Sequence, residues 1–562
     1  MIIQSILELV AICAKKGVKN VILSPGSRCA PLTLAFARHP EIHTRTISDE
    51  RSAAFIALGM AQQLNQPVAL VCTSGSAALN YYPAIAEAFF QQIPLLVLTA
   101  DRPPEWIDQW DGQTIFQQEV YGKHIKKSFQ FPDSFGDKEQ SWYAARMVNE
   151  AINTANHFPK GPVHINIPLR EPFYPSENES FEFPEHPYQT EISKGTLHLG
   201  EESLKKINSK LQSLRKILIV PGQQKPDEKM VELLKSLSKN KKVVVITDTI
   251  SNLQSEESIN FHDHWMGNQE VTKGLEPDLI LSFGKSIISK SLKLFLRNSK
   301  AEHWHIQENA EAKDTYQSLS KILACSPLFL LNWLNSNLPI QDETYYDRWR
   351  ELEKSILNNL NDILEQSQFG EYKALHQVLK NIPDLSKIHV ANSMAVRYLN
   401  FLGRRKQEII CNRGTSGIDG SSSTAVGCTF TTKLPVTLIT GDLAFFYDRN
   451  AFWHNYSMAN LRIILLNNHA GGIFRLIEGP AKQPELQEYF ETKQKLNAKS
   501  LANEFGFTYF SAKNEAELDT ALKDFYDSGV HPKILEIESQ SPLNAEILKS
   551  IKEKVKTILP ST

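Results

Sequence analysis

An acidic turn and, further along, a pair of asparagines are the parts of this 562-residue sequence best suited to chemistry. Gly441-Asp442-Leu443 closes a short β-branched run at 436–440, and Asn467-Asn468 closes a second run at 461–466, with a helical stretch between them. Strands joined by a helical crossover run parallel, and ligands of open α/β sheets sit beyond the carboxyl ends of the strands, so the Asp442 carboxylate and the Asn468 amide oxygen can converge on one point. The backbone carbonyl of Ala470 can add a third oxygen. Such a hard-donor set suits Mg²⁺ or Ca²⁺, and Mg²⁺ usually completes its shell with water and substrate phosphates. The pattern therefore predicts a diphosphate, and Gly471 and Gly472 leave backbone free to approach it.

The elements that must position these groups follow a repeated α/β rhythm. In the amino-terminal block, β-rich runs at 21–23, 68–73 and 95–99 alternate with helical patterns at 31–38, 51–63 and 77–90, and a buried run at 161–168 closes the block. That order predicts a doubly wound sheet. Polar turns follow its strands: Ser24-Pro25-Gly26-Ser27-Arg28, Thr73-Ser74-Gly75-Ser76 and Thr99-Ala100-Asp101-Arg102-Pro103. They should share one edge, bringing Arg28 and Arg102 near each other. Asp49-Glu50 opens a helix packed with Ala, Phe, Ile and Leu; taken alone, carboxylates there need only the positive end of the helix dipole as a reason.

A Pro-, Glu- and Ser-rich stretch at 174–194 reads as a linker. Runs at 217–220, 243–247, 279–283 and 303–306 predict a second sheet, without an acid-base constellation. Apolar residues at helical spacing over 345–364 predict a packing helix leading to a third unit, whose strands begin at 388–391 and 408–411 and close at 534–537. The expected fold class is α/β: three doubly wound domains with mainly parallel sheets, at 1–180, 181–355 and 356–562.

Composition narrows the function. With 41% hydrophobic and 22% charged residues and a formal net charge of −2, the chain reads as globular and has no global electrostatic attraction to nucleic acid or anionic membrane. The six cysteines show neither metal spacing nor a paired framework, which fits a reducing compartment. Residues 1–14 lack a basic leader and a small-residue cleavage site and suit an amphipathic helix, and no apolar run is long enough to span a bilayer. A cytoplasmic protein is expected.

Taken together, the motifs have a relative. Ser24 to Arg28, Asp49-Glu50-Arg51-Ser52-Ala53, Thr73-Ser74-Gly75, Leu98 to Pro103 and Gly112-Gln113-Thr114-Ile115, followed by Asn412 to Gly420 and by Gly441-Asp442-Leu443 with Tyr447-Asp448, closely resemble the 2-succinyl-5-enolpyruvyl-6-hydroxy-3-cyclohexene-1-carboxylate (SEPHCHC) synthases, thiamine diphosphate enzymes of menaquinone biosynthesis. Leu443 stands where the wider superfamily usually has glycine. The resemblance covers both ends of the chain and is weak in the middle.

The resemblance implies thiamine diphosphate with Mg²⁺, or Mn²⁺ in its place, held by Asp442, Asn468 and the Ala470 carbonyl, with Gly441, Leu443 and Gly471 against the cofactor. Ile418 matches the apolar wedge that bends the cofactor. Glu50 matches the glutamate that hydrogen-bonds N1′ of the aminopyrimidine and promotes deprotonation of the thiazolium carbon. Substrate positions fall on Ser27, Arg28, Arg102, Gln113, Lys290, Ser393, Arg397, Arg413, Ile473, Phe474 and Ile477, while Ser291 replaces a second basic contact. The implied reaction decarboxylates 2-oxoglutarate and adds the four-carbon unit to isochorismate, and several arginines suit reactants that carry two carboxylates each. The implied assembly is a homodimer at minimum, with a homotetramer the usual form, because Glu50 and the Asp442 site meet across two chains. Another thiamine-dependent 2-oxo acid decarboxylase or an acetolactate-synthase-like enzyme is the nearest alternative, and needs fewer cations.

Overall fold

The structure, a computed structural model, describes residues 3–560 except 134–136, 178, 194 and 340–343. Seventeen strands among these residues form three sheets, each parallel throughout. The first contains β1 (Asn20–Leu23), β2 (His43–Thr46), β3 (Val68–Cys72), β4 (Leu95–Asp101), β5 (Ser128–Gln130) and β6 (Val163–Pro168), in the order β2-β1-β3-β4-β6-β5. The second contains β7 (Ile217–Pro221), β8 (Val243–Val245), β9 (Leu279–Phe283), β10 (Glu302–Ile306) and β11 (Leu319–Leu323), ordered β11-β10-β9-β7-β8. The third contains β12 (Lys387–Val390), β13 (Glu408–Ile410), β14 (Val436–Gly441), β15 (Leu461–Asn467), β16 (Thr508–Ala512) and β17 (Lys533–Glu538), ordered β13-β12-β14-β15-β17-β16. Central strands such as β3, β4, β7, β9 and β15 are buried along their whole length. Helices on both sheet faces demand that, and their near-continuous apolar sequences follow from it.

The expected amphipathic start is the helix Gln4–Lys15, which buries Ile6, Leu7, Leu9 and Val10. The stretch 77–90, read as one helix, is two: Ser76–Asn80 and Tyr82–Gln91. Pro83 has no N–H to donate to the carbonyl of Leu79, so the ladder breaks there. The described residues of the 174–194 linker form neither helix nor strand, yet part of it is held down, because Asn149 donates to the Tyr188 carbonyl at 2.8 Å and accepts from the Thr190 N–H at 2.9 Å. Lys194 lies outside the described residues. No helix among the described residues is long and apolar enough to cross a membrane.

Two contacts lock the outer domains together. The helix Glu50–Leu64 crosses the helix Ser421–Thr429 with almost no separation: a Cβ on Gly59 would lie 2.1 Å from the Thr424 carbonyl oxygen, and one on Gly427 would lie 2.1 Å from that of Ile56. The middle domain joins through Gln223, whose amide donates to the Cys411 carbonyl at 2.8 Å and to Gln91 at 3.2 Å, so one side chain touches all three domains. Gly59→Ala should lower stability by about 2–3 kcal/mol through overpacking of backbone against backbone. An unchanged melting temperature by calorimetry would contradict the crossing.

Candidate active site

In the third domain, β14 and β15 are in parallel register with Gly441 beside Leu466, so Asp442 and Asn467-Asn468 emerge together at one sheet edge. Asp442 begins the helix Asp442–Tyr447 and is buried; its Oδ2 accepts a hydrogen bond from Gln494 Nε2 at 2.6 Å. Burial raises its carboxyl above the usual range, although the Gln494 bond opposes this. The two asparagines divide their work. Asn467 is structural, donating to Glu536 at 2.6 Å and accepting from Gln494 at 3.1 Å.

Asn468 donates its amide nitrogen to Glu371 Oε1 at 2.6 Å, which turns its oxygen toward the Ala470 N–H, 3.0 Å away. Glu371 is buried, and that burial pushes its carboxyl up to about 7, with Asp442 adding to the rise. His469, between Asn468 and Ala470, has φ 60°. A Cβ built on Gly441 meets nothing within 4 Å, so backbone there faces open space. The Asp442 carboxylate, the Asn468 amide oxygen and the Ala470 carbonyl, which accepts from the Gly472 N–H at 2.9 Å, are hard donors of the kind that suit Mg²⁺.

In the first domain, β1, β3 and β4 end in register, with Leu23 beside Val71 and Cys72 beside Thr99, so the three polar turns do share an edge. Gly26 packs so tightly on Thr73 that a Cβ would lie 2.3 Å from it. Ser27 is exposed. Arg28 is buried, donates to the Leu169 carbonyl at 2.7 Å and lies 4.8 Å from the centre of the Phe173 ring. Leu169 in turn donates its N–H to Asp101, next to Arg102. Arg102 donates to the Gly112 carbonyl at 2.7 Å, and its Nε lies 2.9 Å from Asp111. Gln113 (φ 56°) is exposed, with its backbone against Gly75. Glu50 is half-buried as the first residue of its helix, and among the described residues its carboxylate has no hydrogen-bond or ion-pair partner. Its neighbours reach the third domain: Asp49 accepts from Asn450 at 2.7 Å, and Arg51 donates to the Tyr447 carbonyl at 2.9 Å.

Around β12 and β13 the cations gather. Ser393 has φ 70° and accepts from Arg397 through its carbonyl at 2.5 Å. Arg413 donates to Asn392 Oδ1 at 2.8 Å, while its buried Nε has no partner. Its turn is clamped from the first domain by buried Glu87, which accepts from the N–H groups of Gly414 (2.8 Å) and Thr415 (2.6 Å). Ile418 is 43% exposed and Ile477 39% exposed, while Ile473 packs on the core and Phe474 lies 5.8 Å from the Phe490 ring. Lys290 is exposed at the start of the helix Lys290–Asn298.

Three family models match in chain order: the thiamine pyrophosphate enzyme N-terminal TPP binding domain over residues 8–125, the middle domain of thiamine pyrophosphate enzymes over 196–390, and the C-terminal TPP binding domain over 391–537. The chain is 46% identical to a protein of Cytophaga hutchinsonii named SEPHCHC synthase, over 98% of this chain and 99% of that one. Proteins of the same name from Christiangramia forsetii and Flavobacterium johnsoniae are 40% and 39% identical, over 96% and 97% of this chain and 97% of each relative. The chain belongs to the SEPHCHC synthase family.

Several residues that shape the site carry no motif legible in sequence. For this synthase fold they include Glu371, Gln494 and Glu87, each arriving from a distant segment. Asp448, part of the Tyr447-Asp448 match, is fully buried and accepts from the N–H (2.7 Å) and hydroxyl (2.8 Å) of Ser423, capping the helix Ser421–Thr429 from outside. Burial pushes its carboxyl up to about 7. A folded carboxyl that releases its proton later than the unfolded one contributes stability at low pH that is lost as pH rises from about 4 through about 7. Wild type should therefore lose on the order of 4 kcal/mol across that window from this group. Asp448→Asn should flatten the fall in denaturant titrations at stepped pH, and an unchanged slope would refute the assignment.

Proposed function

We propose that the chain catalyses the thiamine diphosphate-dependent decarboxylation of 2-oxoglutarate and the conjugate addition of the resulting four-carbon unit to isochorismate, forming SEPHCHC in menaquinone biosynthesis. The observation that carries this reading is the Asp442 and Asn468 pair at adjacent parallel strand ends, beside the open space at Gly441. Asp442, the Asn468 oxygen and the Ala470 carbonyl hold Mg²⁺, or Mn²⁺, with Leu443 and Gly471 alongside the diphosphate. Thiamine diphosphate, when bound, supplies the electron sink that both the loss of CO₂ and the new carbon–carbon bond require.

The chain's own residues do the rest. Glu50, whose carboxylate is unengaged, exchanges a proton with N1′ of the aminopyrimidine. Ile418 would pack against the thiamine diphosphate, and Ile473, Phe474 and Ile477 would keep water from the reacting carbon. Ser27, Arg28, Arg102, Gln113, Lys290, Ser393, Arg397 and Arg413 receive substrate carboxylates and hydroxyls. Charge-assisted contacts of that kind fix two doubly anionic reactants in one orientation. Residues 1–180 form the pyrimidine-binding domain, 181–355 the central scaffold and 356–562 the diphosphate and metal domain. All six cysteines are buried and unpaired, in keeping with a cytoplasmic setting.

The active unit is at least a homodimer, with Glu50 of one chain completing the Asp442 site of another, and a tetramer is the expected form. Exposed Trp106, Trp110 and Phe116 offer apolar area for such an interface. Two measurements test this reading. Purified protein with thiamine diphosphate and Mg²⁺ should form SEPHCHC only when both substrates are present; equal 2-oxoglutarate turnover without isochorismate would favour a simple decarboxylase. Mixing Glu50→Ala with Asp442→Ala chains should restore up to about a quarter of the activity if subunits assort randomly. Complete absence of complementation would rule out a shared site.

A further inference from the structure

Arg397 and Arg413 follow β12 and β13, and Lys293 lies on the helix Lys290–Asn298. Among the described residues none of the three has a carboxylate within ion-pair distance. Lys293 has no hydrogen-bond partner for its ammonium, and the buried Nε of Arg413 is equally unpartnered. Lys293 and Arg413 line one cavity of about 670 Å³ together with Lys285 and Gly414; Glu308, Glu311 and Asp314 line it too, Glu311 paired with Lys313 and Asp314 accepting from the Ser318 and Leu319 N–H groups. Burial and the nearby Arg413 lower the Lys293 ammonium below its ordinary range, and burial and Arg413 do the same to Arg397.

The arrangement is held in place by a separate network. Asp248 accepts from the Ile288 and Ser289 N–H groups at the start of the helix Lys290–Asn298. Ser289 donates its hydroxyl to Asp263, and Asp263 also accepts from Asn400 at 2.7 Å, on the helix Met394–Phe401 that carries Arg397. Asp248 and Asp263 are therefore engaged by the scaffold. They fix the two cation-bearing helices against each other and do not neutralise them. A partly desolvated cation without an ion-pair partner of its own favours an anionic ligand.

We propose that Lys293 is a substrate-binding residue, sharing one substrate carboxylate with Arg397 and Arg413 and supplying the cation that Ser291 does not. This rests on the proposed reaction and adds to it a contact on the helical turn after Lys290. The test is steady-state kinetics of the thiamine diphosphate and Mg²⁺ holoenzyme for wild type, Lys293→Gln, Lys293→Met and Lys293→Arg, with KM and kcat for both 2-oxoglutarate and isochorismate.

Loss of a charge-assisted contact should raise KM for one of the two substrates about tenfold or more in the Gln and Met variants, with kcat changed far less. Lys293→Arg should recover most of that loss, and calorimetric affinity for thiamine diphosphate should be unchanged throughout. Gln and Met variants with both KM values within about twofold of wild type would overturn the proposal, as would an Arg variant as impaired as the Gln variant. Wild type that forms no product from the two substrates would instead overturn the proposed reaction, so the two failures are distinguishable.

Discussion

The helices Glu50–Leu64 and Ser421–Thr429 meet backbone to backbone, with Gly59 against Thr424 and Gly427 against Ile56. Glycine is required at both points because any Cβ would occupy the space of a carbonyl oxygen. With that distance fixed, the groups at the helix ends have little freedom. Asp49 reaches Asn450, Arg51 reaches Tyr447, and Glu87 from the helix Tyr82–Gln91 reaches the turn after Arg413. The first domain thus holds two loops of the third, and the loops carry the candidate site. Relaxing the crossing by an ångström would loosen each of these bonds at once, a change large enough to matter for a site that works by positioning.

Charge is sorted between two ends of this arrangement. Beside the open space at Gly441 lie buried acids: Asp442, with Glu371 behind Asn468, both raised by desolvation. Desolvation of this kind favours the protonated carboxyl, and a divalent cation at the same place favours the carboxylate instead. After β12 and β13, and on the helix Lys290–Asn298, the charge is positive: Arg397, Arg413 and Lys293 have no ion-pair partner among the described residues. A ligand with a metal-bound diphosphate at one end and a carboxylate-bearing substrate at the other matches both halves. A neutral ligand would match neither.

How far the sequence discloses this depends on where each residue sits. Most interior strands coincide with apolar runs, because a strand covered on both faces has few polar positions to interrupt it; β10, with His303 and His305, is an exception. The edge strands β2, β5, β11 and β16 had no such signal. His43–Thr46 and Thr508–Ala512 are half exposed, so their side chains alternate or turn polar. Site residues at strand ends were legible for a related reason: parallel topology alone sends Asp442 and Asn468 to one edge. Glu371, Gln494 and Glu87 were not, since each is an ordinary helix or loop residue whose role appears only when distant segments meet. Lys293 was hidden differently, one turn beyond the lysine that the family motif marks, on a helix whose placement depends on Asp248 and Asp263.

Two residues show what these networks accomplish. Ser393 and His469 hold left-handed φ values of 70° and 60°, which side chains other than glycine rarely adopt. Each costs on the order of 1 kcal/mol or more and persists only where surrounding bonds dictate the backbone. At Ser393 the carbonyl is held by Arg397; at His469 the N–H is held by Asn467 and the carbonyl by the Gln494 N–H. The second residue lies between the proposed metal ligands Asn468 and Ala470, and the first beside the cation group. Strain therefore appears at both ends of the proposed ligand, on turns whose fixing bonds come from the buried networks behind them. A relaxed backbone at His469 would release the Asn467 and Gln494 bonds and reorient the Asn468-to-Ala470 turn, so the unfavourable dihedral is a condition for the turn that carries two of the proposed ligands.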